Sequence, residues 1–196
     1  MSAVLAIGNG ESRALIDLKS ILDNHTSVGC NAIARDHTVD HLVCVDRRMV
    51  KEALPTPIKN IYTRSMWLSH FTDSKVKAVP DLPYSGDLRA DEAFHWGSGP
   101  YAVLLAAQLA SEEVWLLGFD LYDTDKKVNN IYKGTGNYVK ADAHAIDPSY
   151  WIHQTEKVFE CFPNIRFKIY NSENWIIPEK WKKINVELLT YKYLQV

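Results

Sequence analysis

Short apolar runs alternate with amphipathic stretches along most of the chain. The first run covers residues 3–7 and stops at Gly8-Asn9-Gly10, a pattern that indicates a buried strand entering a tight turn. Strands separated by helices are typical of crossover connections, so the sequence predicts an α/β fold, a Rossmann-like three-layer α/β/α arrangement around a mainly parallel sheet. The other predicted strands cover residues 27–30, 41–45, 59–62, 75–79, 114–117 and 165–170, and the predicted helices cover residues 11–23, 99–110 and 149–162.

The alternation stops between residues 119 and 148, a long polar stretch rich in Asp, Asn, Gly and Lys. A loop of this length inside a compact domain is usually a lid, a binding loop or a disordered segment. We therefore predict a Rossmann-like domain over residues 1–173, in which residues 119–148 form a lid-like loop, and a C-terminal packing tail over residues 174–196. The tail is too apolar to extend freely into solvent, so we expect it to pack on the domain or on a second subunit of a homo-oligomer.

Polar residues and glycines gather just after the predicted strands, where parallel sheets bind their ligands. At Gly8-Asn9-Gly10-Glu11-Ser12, the glycines let the backbone approach a phosphate and the following helix offers free N–H groups. Ser12 could contact that phosphate or cap the helix, and the whole segment could also be a simple tight turn. Asn31 follows the next strand in the same way.

A second glycine-containing turn, Gly97-Ser98-Gly99, precedes the most strongly predicted helix. Ser98 and Gly99 could bind a phosphate through exposed helical N–H groups, or Ser98 could simply be the N-cap of the helix.

Two carboxylates lie just past predicted strands: Asp46 follows residue 45 directly, and Asp120 comes three residues after residue 117. Each could hold a sugar hydroxyl or cap a turn, and the two together could hold Mg²⁺ across a cleft.

The lid-like loop carries candidate catalytic groups. His144 is a candidate general base, because a histidine ordinarily titrates near neutral pH, although a single loop histidine is more often a surface residue. The hydroxyls of Tyr122, Tyr132 and Tyr138, with nearby lysines, could close over a phosphate leaving group. A solvated loop would also be rich in lysine.

Composition narrows the classes of function. Apolar residues make up 46% of the chain and charged residues 23%, an ordinary globular balance. A formal net charge of −2 argues against a non-specific nucleic-acid binder. The three cysteines are too few and too widely spaced for a disulfide framework, and no apolar run approaches the length of a membrane span. We therefore expect a cytoplasmic protein with no transmembrane segment.

The order of these motifs resembles the bacterial sialyltransferases of glycosyltransferase family 42, and also the related 6-hydroxymethylpterin diphosphokinase-like domain family. The resemblance spans roughly residues 3–170. It rests on Gly8-Asn9-Gly10-x-Ser12, Cys30-Asn31, the strand that ends in Asp46, Ser98-Gly99 and Gly118-Phe119-Asp120-Leu121-Tyr122. The chain departs from the sialyltransferases at Glu11, where they usually have proline, and at His95, where they have arginine.

The sialyltransferase resemblance implies a transferase that uses a CMP-sugar donor, a hydroxyl acceptor and no metal. It implies that Tyr122 and Tyr132 contact the departing phosphate and that His144 is the general base. The nucleotide would be surrounded by Gly8, Asn9, Gly10, Asn31 and Ser98, and our predicted nucleotide site also includes Ser12, Asp46, Gly99 and Asp120. The acceptor would be a glycan or a small molecule.

Two alternatives stay open at this point. The diphosphokinase resemblance implies ATP and Mg²⁺, with Asp46 and Asp120 as the natural metal ligands. A chain this short could also be a non-catalytic module that binds a nucleotide or a glycan.

Overall fold

The computed structural model describes residues 3–123 and 125–194, and the strands in these residues form a single parallel sheet. The strands are β1 (Val4–Ile7), β2 (Thr26–Cys30), β3 (His41–Val43), β4 (Ile61–Thr63), β5 (Val76–Ala78), β6 (Glu113–Leu117), β7 (Arg166–Asn171) and β8 (Val186–Thr190). Their order in the sheet is β5-β4-β3-β2-β1-β6-β7-β8, with parallel pairing throughout. The predicted α/β fold with a mainly parallel sheet is confirmed.

The chain reverses its direction of growth at the centre of the sheet. From β1 it adds strands outward to β5, and it then crosses back to place β6 on the other side of β1. Such a topological switch point leaves a crevice at the carboxyl ends of the two central strands, where ligands of open parallel sheets bind.

Helices cover both faces of the sheet, which gives the three-layer arrangement. They are α1 (Leu18–Leu22), α2 (Arg47–Ala53), α3 (Ser98–Leu109) and α4 (Ser149–Cys161). Successive residues of a strand point to opposite faces, so Val4 and Ala6 join the core beneath α3 and α4, whereas Leu5 and Ile7 join the core beneath α1 and α2. Short 3₁₀ segments occur at Glu11–Leu15, Asn31–Arg35, Ser65–His70, Arg89–Asp91, Ala93–His95, Glu179–Trp181 and Tyr191–Tyr193.

The central helix α3 is buried over almost its whole length. Residues 100–107 are all buried, because α3 contacts β1, β2, β3 and β6 on one side and α4 on the other. A helix that is apolar all round is typical of such a position. The burial fixes the start of α3 against the sheet edge.

The prediction of one continuous helix over residues 11–23 is wrong. The segment is a 3₁₀ turn, Glu11–Leu15, followed by an extended residue, Ile16, and then α1. Leu15, predicted to lie on the buried face, is 68% exposed. The break has a local cause, because the Asp17 side chain accepts a hydrogen bond from Ser20 N and so starts a new helix.

The C-terminal segment supplies the edge strand β8, which sequence analysis did not predict. β8 pairs in parallel with β7, and the fully buried Trp181 donates a hydrogen bond from Nε1 to the Ile152 oxygen at 2.9 Å. The Tyr191 hydroxyl accepts a hydrogen bond from Gly118 N at 3.1 Å. The segment therefore packs on α4 and on the turn that follows β6.

Across residues 3–123 and 125–194, no helix has both the length and the apolar character needed to cross a lipid bilayer.

Candidate functional site

A cavity of about 490 Å³ opens at the carboxyl edge of the sheet, over the switch point. Its volume lies within the range usual for small-molecule sites. The predicted site residues that line it are Gly8, Asn9 and Gly10 after β1, Asn31 after β2, Asp46 after β3, Ser98 and Gly99 at the start of α3, and Asp120 after β6. The structure thus brings these side chains and turns together, and their role in binding a nucleotide stays a prediction.

The turn after β1 lies directly against the turn after β6. Gly8 N donates to the Leu117 oxygen and Gly10 N donates to the Gly118 oxygen, each at 2.8 Å. A Cβ atom at Gly8 would lie 2.3 Å from the Gly118 oxygen, and one at Gly10 would lie 2.4 Å from Cγ of Asp120. Gly8 therefore needs glycine because two backbones meet there, and Gly10 needs it because the Asp120 carboxylate occupies the space of a side chain.

Gly8→Ala is expected to destabilise the protein by more than about 2 kcal/mol, because the methyl group would push the β1 and β6 turns apart. Gly136→Ala is the matched control, since no atom lies within 4 Å of its added Cβ. The free energy of unfolding, measured by urea denaturation, separates the two variants. Equal stabilities for Gly8→Ala and Gly136→Ala would contradict the close packing of the two turns.

Asp120 connects three strands at the cavity floor. Its side chain accepts hydrogen bonds from Ser12 N at 2.8 Å, from Ser12 Oγ at 2.5 Å and from Asn171 Nδ2 at 3.1 Å. Ser12 itself does not line the cavity, and its hydroxyl also lies 3.0 Å from the Tyr191 hydroxyl. Asp120 and Ser12 therefore join the turn after β1 to the turn after β6. A role of either residue in ligand binding stays a prediction.

The two carboxylates do not form a site that fits a metal ion. Both Asp120 oxygens already accept hydrogen bonds, while the Asp46 side chain is 59% exposed and lies 3.9 Å from Arg64 Nη1. In the part of the chain that the structure describes, no group of three or more His, Cys, Asp or Glu side chains could hold a metal.

Ser98 joins the ends of three elements. Its hydroxyl donates to Asn31 Oδ1 at 2.9 Å and accepts from Val45 N at 3.1 Å. Asn31 has a left-handed backbone, with φ of 51°, which turns the chain sharply after β2. The geometry corrects one expectation, because Gly97 and not Ser98 is the N-cap of α3, and no side chain caps the helix.

The start of α3 consequently presents free donors to the cavity. Among the described residues, no acceptor pairs with the backbone N–H of Ser98 or Gly99, and both residues line the cavity. The first N–H groups of a helix, with the positive end of its dipole, favour an anionic group.

Arg13 is a buried cation that sequence analysis did not select. Its guanidinium donates to the Gly8 oxygen at 2.9 Å, to Asn9 Oδ1 at 3.1 Å and to the Tyr132 hydroxyl at 3.1 Å. Asn9 Nδ2 in turn donates to the Cys30 oxygen at 3.0 Å. Arg13 therefore fixes the orientation of Asn9 and places a positive charge beneath the first glycine turn. Its place in the motif, directly after Ser12, was the signal available in the sequence.

The long loop forms a cover over the cavity, and we call residues 125–146 the strap. Asn129, Asn130 and Tyr138 of the strap line the cavity. The strap is attached to the first turn, because Ile131 N donates to the Asn9 oxygen at 2.9 Å and Asn129 Oδ1 accepts from Glu11 N at 2.7 Å.

Arg35 attaches the middle of the strap to the domain. It donates to Thr135 Oγ1 at 2.7 Å and to the Gly136 oxygen at 2.8 Å. Its guanidinium also pairs with Glu52, whose carboxylate pKa is lowered by this contact. The strap is thus held at two places, near residue 130 and near residue 135, as a binding loop would be.

The three predicted catalytic side chains do not line the cavity. Tyr132 is 5% exposed, and its hydroxyl donates to Asp36 at 2.7 Å; burial and this bond raise its pKa to about 12. Tyr122 is partly exposed and lines a second cavity of about 470 Å³. His144 is exposed, and a backbone bridge joins it to Lys127. Its neighbour Ala145 lines both cavities.

Tyr138 is the strap tyrosine that reaches the main cavity. Its hydroxyl accepts from Asn9 Nδ2 and from Ala32 N, both at 3.4 Å, and burial raises its pKa. The hydroxyl therefore lies between the turns after β1 and β2.

Arg64, which follows β4, is a further cavity residue that sequence analysis missed. Its Nη1 donates to the Val45 oxygen at 2.9 Å and its Nη2 donates to the Trp96 oxygen at 3.2 Å. Burial lowers the pKa of Arg64, and the Asp46 carboxylate opposes that shift. A polar residue just after a strand was the available signal, the same one that selected Asn31 and Asp46.

Several hydrogen-bond donors of the cavity lining have no acceptor among the described residues. The side-chain amide nitrogens of Asn31, Asn129 and Asn130 have no acceptor among the described residues, and they join the free N–H groups of α3 and the Arg64 guanidinium. Such a surface suits a ligand rich in acceptor oxygens, and a phosphate is one such group.

Comparisons with known proteins show a similar fold but do not show a family. The sequence matches no family model and no curated protein. One solved structure that it resembles is that of the sialyltransferase CstII from Campylobacter jejuni in complex with a substrate analogue, CMP-3FNeuAc. The TM-score is 0.50 at 17% sequence identity, and the match covers 86% of this chain and 81% of that chain. The two proteins therefore share a fold.

Proposed function

We propose that this protein is a nucleotide-sugar-dependent glycosyltransferase that takes a CMP-sugar donor and a hydroxyl acceptor. One observation carries the proposal: the ends of β1, β2, β3 and β6 and the start of α3 surround a single donor-rich cavity at the switch point of the sheet. The similar fold of a sialyltransferase in complex with a CMP-sugar analogue supports it.

In this proposal the donor phosphate lies at the start of α3. The free N–H groups of Ser98 and Gly99 and the amide of Asn31 would bind its oxygens, and Asn9, whose side chain is already hydrogen-bonded, would line the nucleoside side of the pocket. Fixed neutral donors and a helix end stabilise charge that develops on a leaving phosphate, without reorganising during the reaction.

The chemical step is a substitution at the anomeric carbon of the donor sugar. An acceptor hydroxyl forms the new C–O bond, the bond to the phosphate breaks, and the phosphate leaves with the electron pair. We assign the acceptor proton to His144, which lies one residue before the cavity residue Ala145. Of the tyrosines at residues 122, 132 and 138, Tyr138 is the one whose position suits the departing phosphate, whereas Tyr122 would have to move toward it.

The diphosphokinase alternative receives no support from the geometry of the carboxylates. It needs Asp46 and Asp120 free to hold Mg²⁺, whereas both Asp120 oxygens accept hydrogen bonds from Ser12 and Asn171. We therefore assign no step to a metal.

A thermal-shift panel of CMP, CDP, UDP, GDP and ATP, each with and without Mg²⁺, tests the proposed donor class. CMP is expected to stabilise the protein without Mg²⁺, by about 2.7 kcal/mol at a hundredfold excess over its dissociation constant. Release of CMP from a CMP-sugar is the accompanying readout of turnover. Stabilisation by ATP with Mg²⁺, and by no other nucleotide, would contradict the proposal. Binding of CMP without release of CMP from a CMP-sugar or transfer of the sugar would indicate a non-catalytic binding module.

A further inference from the structure

Arginines and aromatic rings surround one mouth of the cavity. Arg64 and His95 line the cavity itself. The Arg64 guanidinium lies 5.1 Å from the ring centre of Phe94, and Arg89 Nε donates to His95 Nε2 at 3.0 Å. These side chains therefore extend from the cavity wall out to the surface.

A second group of arginine and aromatic side chains lies next to these, on the side of α2. The Arg47 guanidinium lies 4.7 Å over the ring of Trp67, whose Nε1 donates to the Val45 oxygen at 3.2 Å. That oxygen also accepts from Arg64, so the two halves meet at one atom. We call this surface the basic rim, and its members are Arg47, Arg64, Trp67, Arg89, Phe94 and His95.

The charges of the two outer arginines are held in place but not neutralised. Arg47 Nη1 lies 3.3 Å from His70 Nε2, and Arg89 bonds to His95. An imidazole nitrogen accepts such a bond only when the ring is neutral. Neither arginine pairs with a carboxylate among the described residues; of the nearby anions, Asp46 lies by Arg64 and Glu92 by His95.

Two arginines elsewhere in the chain are neutralised by carboxylates. Arg35 pairs with Glu52, and Arg166 Nη2 lies 2.7 Å from Glu113. Arg47 and Arg89 lack such a partner, and each contacts a residue of the basic rim, so they offer a place for an external anion beside the cavity.

Apolar surface accompanies these charges. Phe94 is 51% exposed, and the ring of Trp67 is partly exposed beneath Arg47. Aromatic faces beside guanidinium groups suit a ring with an apolar face that also carries a negative charge.

We infer that the basic rim binds the acceptor of the proposed reaction, and that this acceptor is an anionic sugar carrying a carboxylate or a phosphate. The inference rests on the proposed function. Arg47 and Arg89 are exposed and lie outside the cavity lining, so a ligand that contacts them extends outward from the cavity. That position suits an acceptor that arrives from solvent, whereas the donor phosphate belongs to the interior.

Ligand-observed NMR titration of the full chain, without nucleotide, tests the rim with three probes: phenyl glucuronide, phenyl glucoside 6-phosphate and phenyl glucoside. We expect one or both anionic probes to bind about tenfold more tightly than the neutral glucoside, since hydrogen bonds to charged groups are the stronger ones. The anionic probe that binds more tightly shows whether the site prefers a carboxylate or a phosphate. Equal affinity for all three probes would overturn the inference.

The variant Arg47→Gln is expected to weaken binding of the anionic probe about fivefold or more. Arg48→Gln is the matched control, because Arg48 is the next residue of α2, is exposed and has no hydrogen bond or ion pair among the described residues. Arg89→Gln is a second test from the opposite side of the rim. If Arg47→Gln and Arg48→Gln weakened binding of the anionic probe equally, general surface charge would explain the binding and the proposed site would be refuted.

Saturating CMP separates this inference from the proposed function. Anionic-probe binding that persists with CMP bound supports an acceptor site beside the donor. Displacement of the probe by CMP would place it in the nucleotide cavity and overturn the inference. Rim binding in a protein that binds no nucleotide would refute the glycosyltransferase and, with it, the acceptor assignment.

Discussion

His144→Ala is expected to lower transferase turnover by about 10²- to 10⁴-fold, the usual contribution of a general base. The histidine side chain is exposed, and its segment is held by backbone bonds, in which Val128 N donates to the Ala143 oxygen and Ala145 N donates to the Lys126 oxygen. Removal of the imidazole should therefore leave the fold and CMP binding intact. Initial rates of CMP release at saturating acceptor, with a parallel thermal-shift titration of CMP, measure both effects.

A second histidine belongs to the cavity wall and is the alternative to test, although its acceptor nitrogen would first have to leave Arg89. Among the described histidines, His95 is the one that lines the cavity, and its Nε2 accepts a hydrogen bond from Arg89. A loss of turnover in His95→Gln together with unchanged turnover in His144→Ala would transfer the role to His95. Partial recovery of His144→Ala by added imidazole would support the original assignment, because a purely structural defect is not repaired that way.

The parallel sheet could be predicted because its inner strands are local features. Each is a short apolar run that ends at a glycine or a polar residue, and a crossover follows it. The edge strand β8 lacks this pattern, because it includes Glu187 and is half exposed. Nothing local marked it as a strand, and its pairing with β7 depends on the packing of the preceding segment around Trp181.

The cavity wall could be predicted in part from the same rule. Asn31 and Ser98 were selected as residues that follow a strand or start a helix, and in the structure their side chains bond to each other. The rule applies equally to Arg64 after β4, but no motif surrounds it. Arg64 was missed because residues at strand ends were selected mainly where they belonged to a recognisable motif.

Contacts between distant segments could not be predicted from local patterns. Ser12 bonds to Asp120, 108 positions away, and Arg13 bonds to Tyr132, 119 positions away. Both contacts form because the turns after β1 and β6 are neighbours in the sheet and the strap returns across them. The sequence placed Tyr122, Tyr132 and Tyr138 in one polar loop and favoured Tyr122 and Tyr132, whereas in the folded chain Tyr138 is the one of the three that lines the cavity.

Asp120→Ala is expected to lower the free energy of unfolding by about 2–4 kcal/mol, because it leaves buried donors without an acceptor. The carboxylate is 4% exposed and accepts three hydrogen bonds, and Asn171, one of its donors, is fully buried. Urea denaturation measures the effect as a lower midpoint at constant slope. Asp46→Ala is the matched control, with an expected change below about 0.5 kcal/mol at its exposed position.

This pair of aspartates also decides between a structural and a metal-binding role for Asp120. If Asp120 and Asp46 were joint Mg²⁺ ligands, the two alanine variants would lose Mg²⁺-dependent ATP binding together, and neither would lose much stability. If Asp120 connects β1, β6 and β7, stability falls in Asp120→Ala alone, and CMP binding weakens only because the turns that line the cavity separate. Wild-type stability in Asp120→Ala would contradict the structural role and reopen the metal site, since a carboxylate that no donor needs is free to bind a cation.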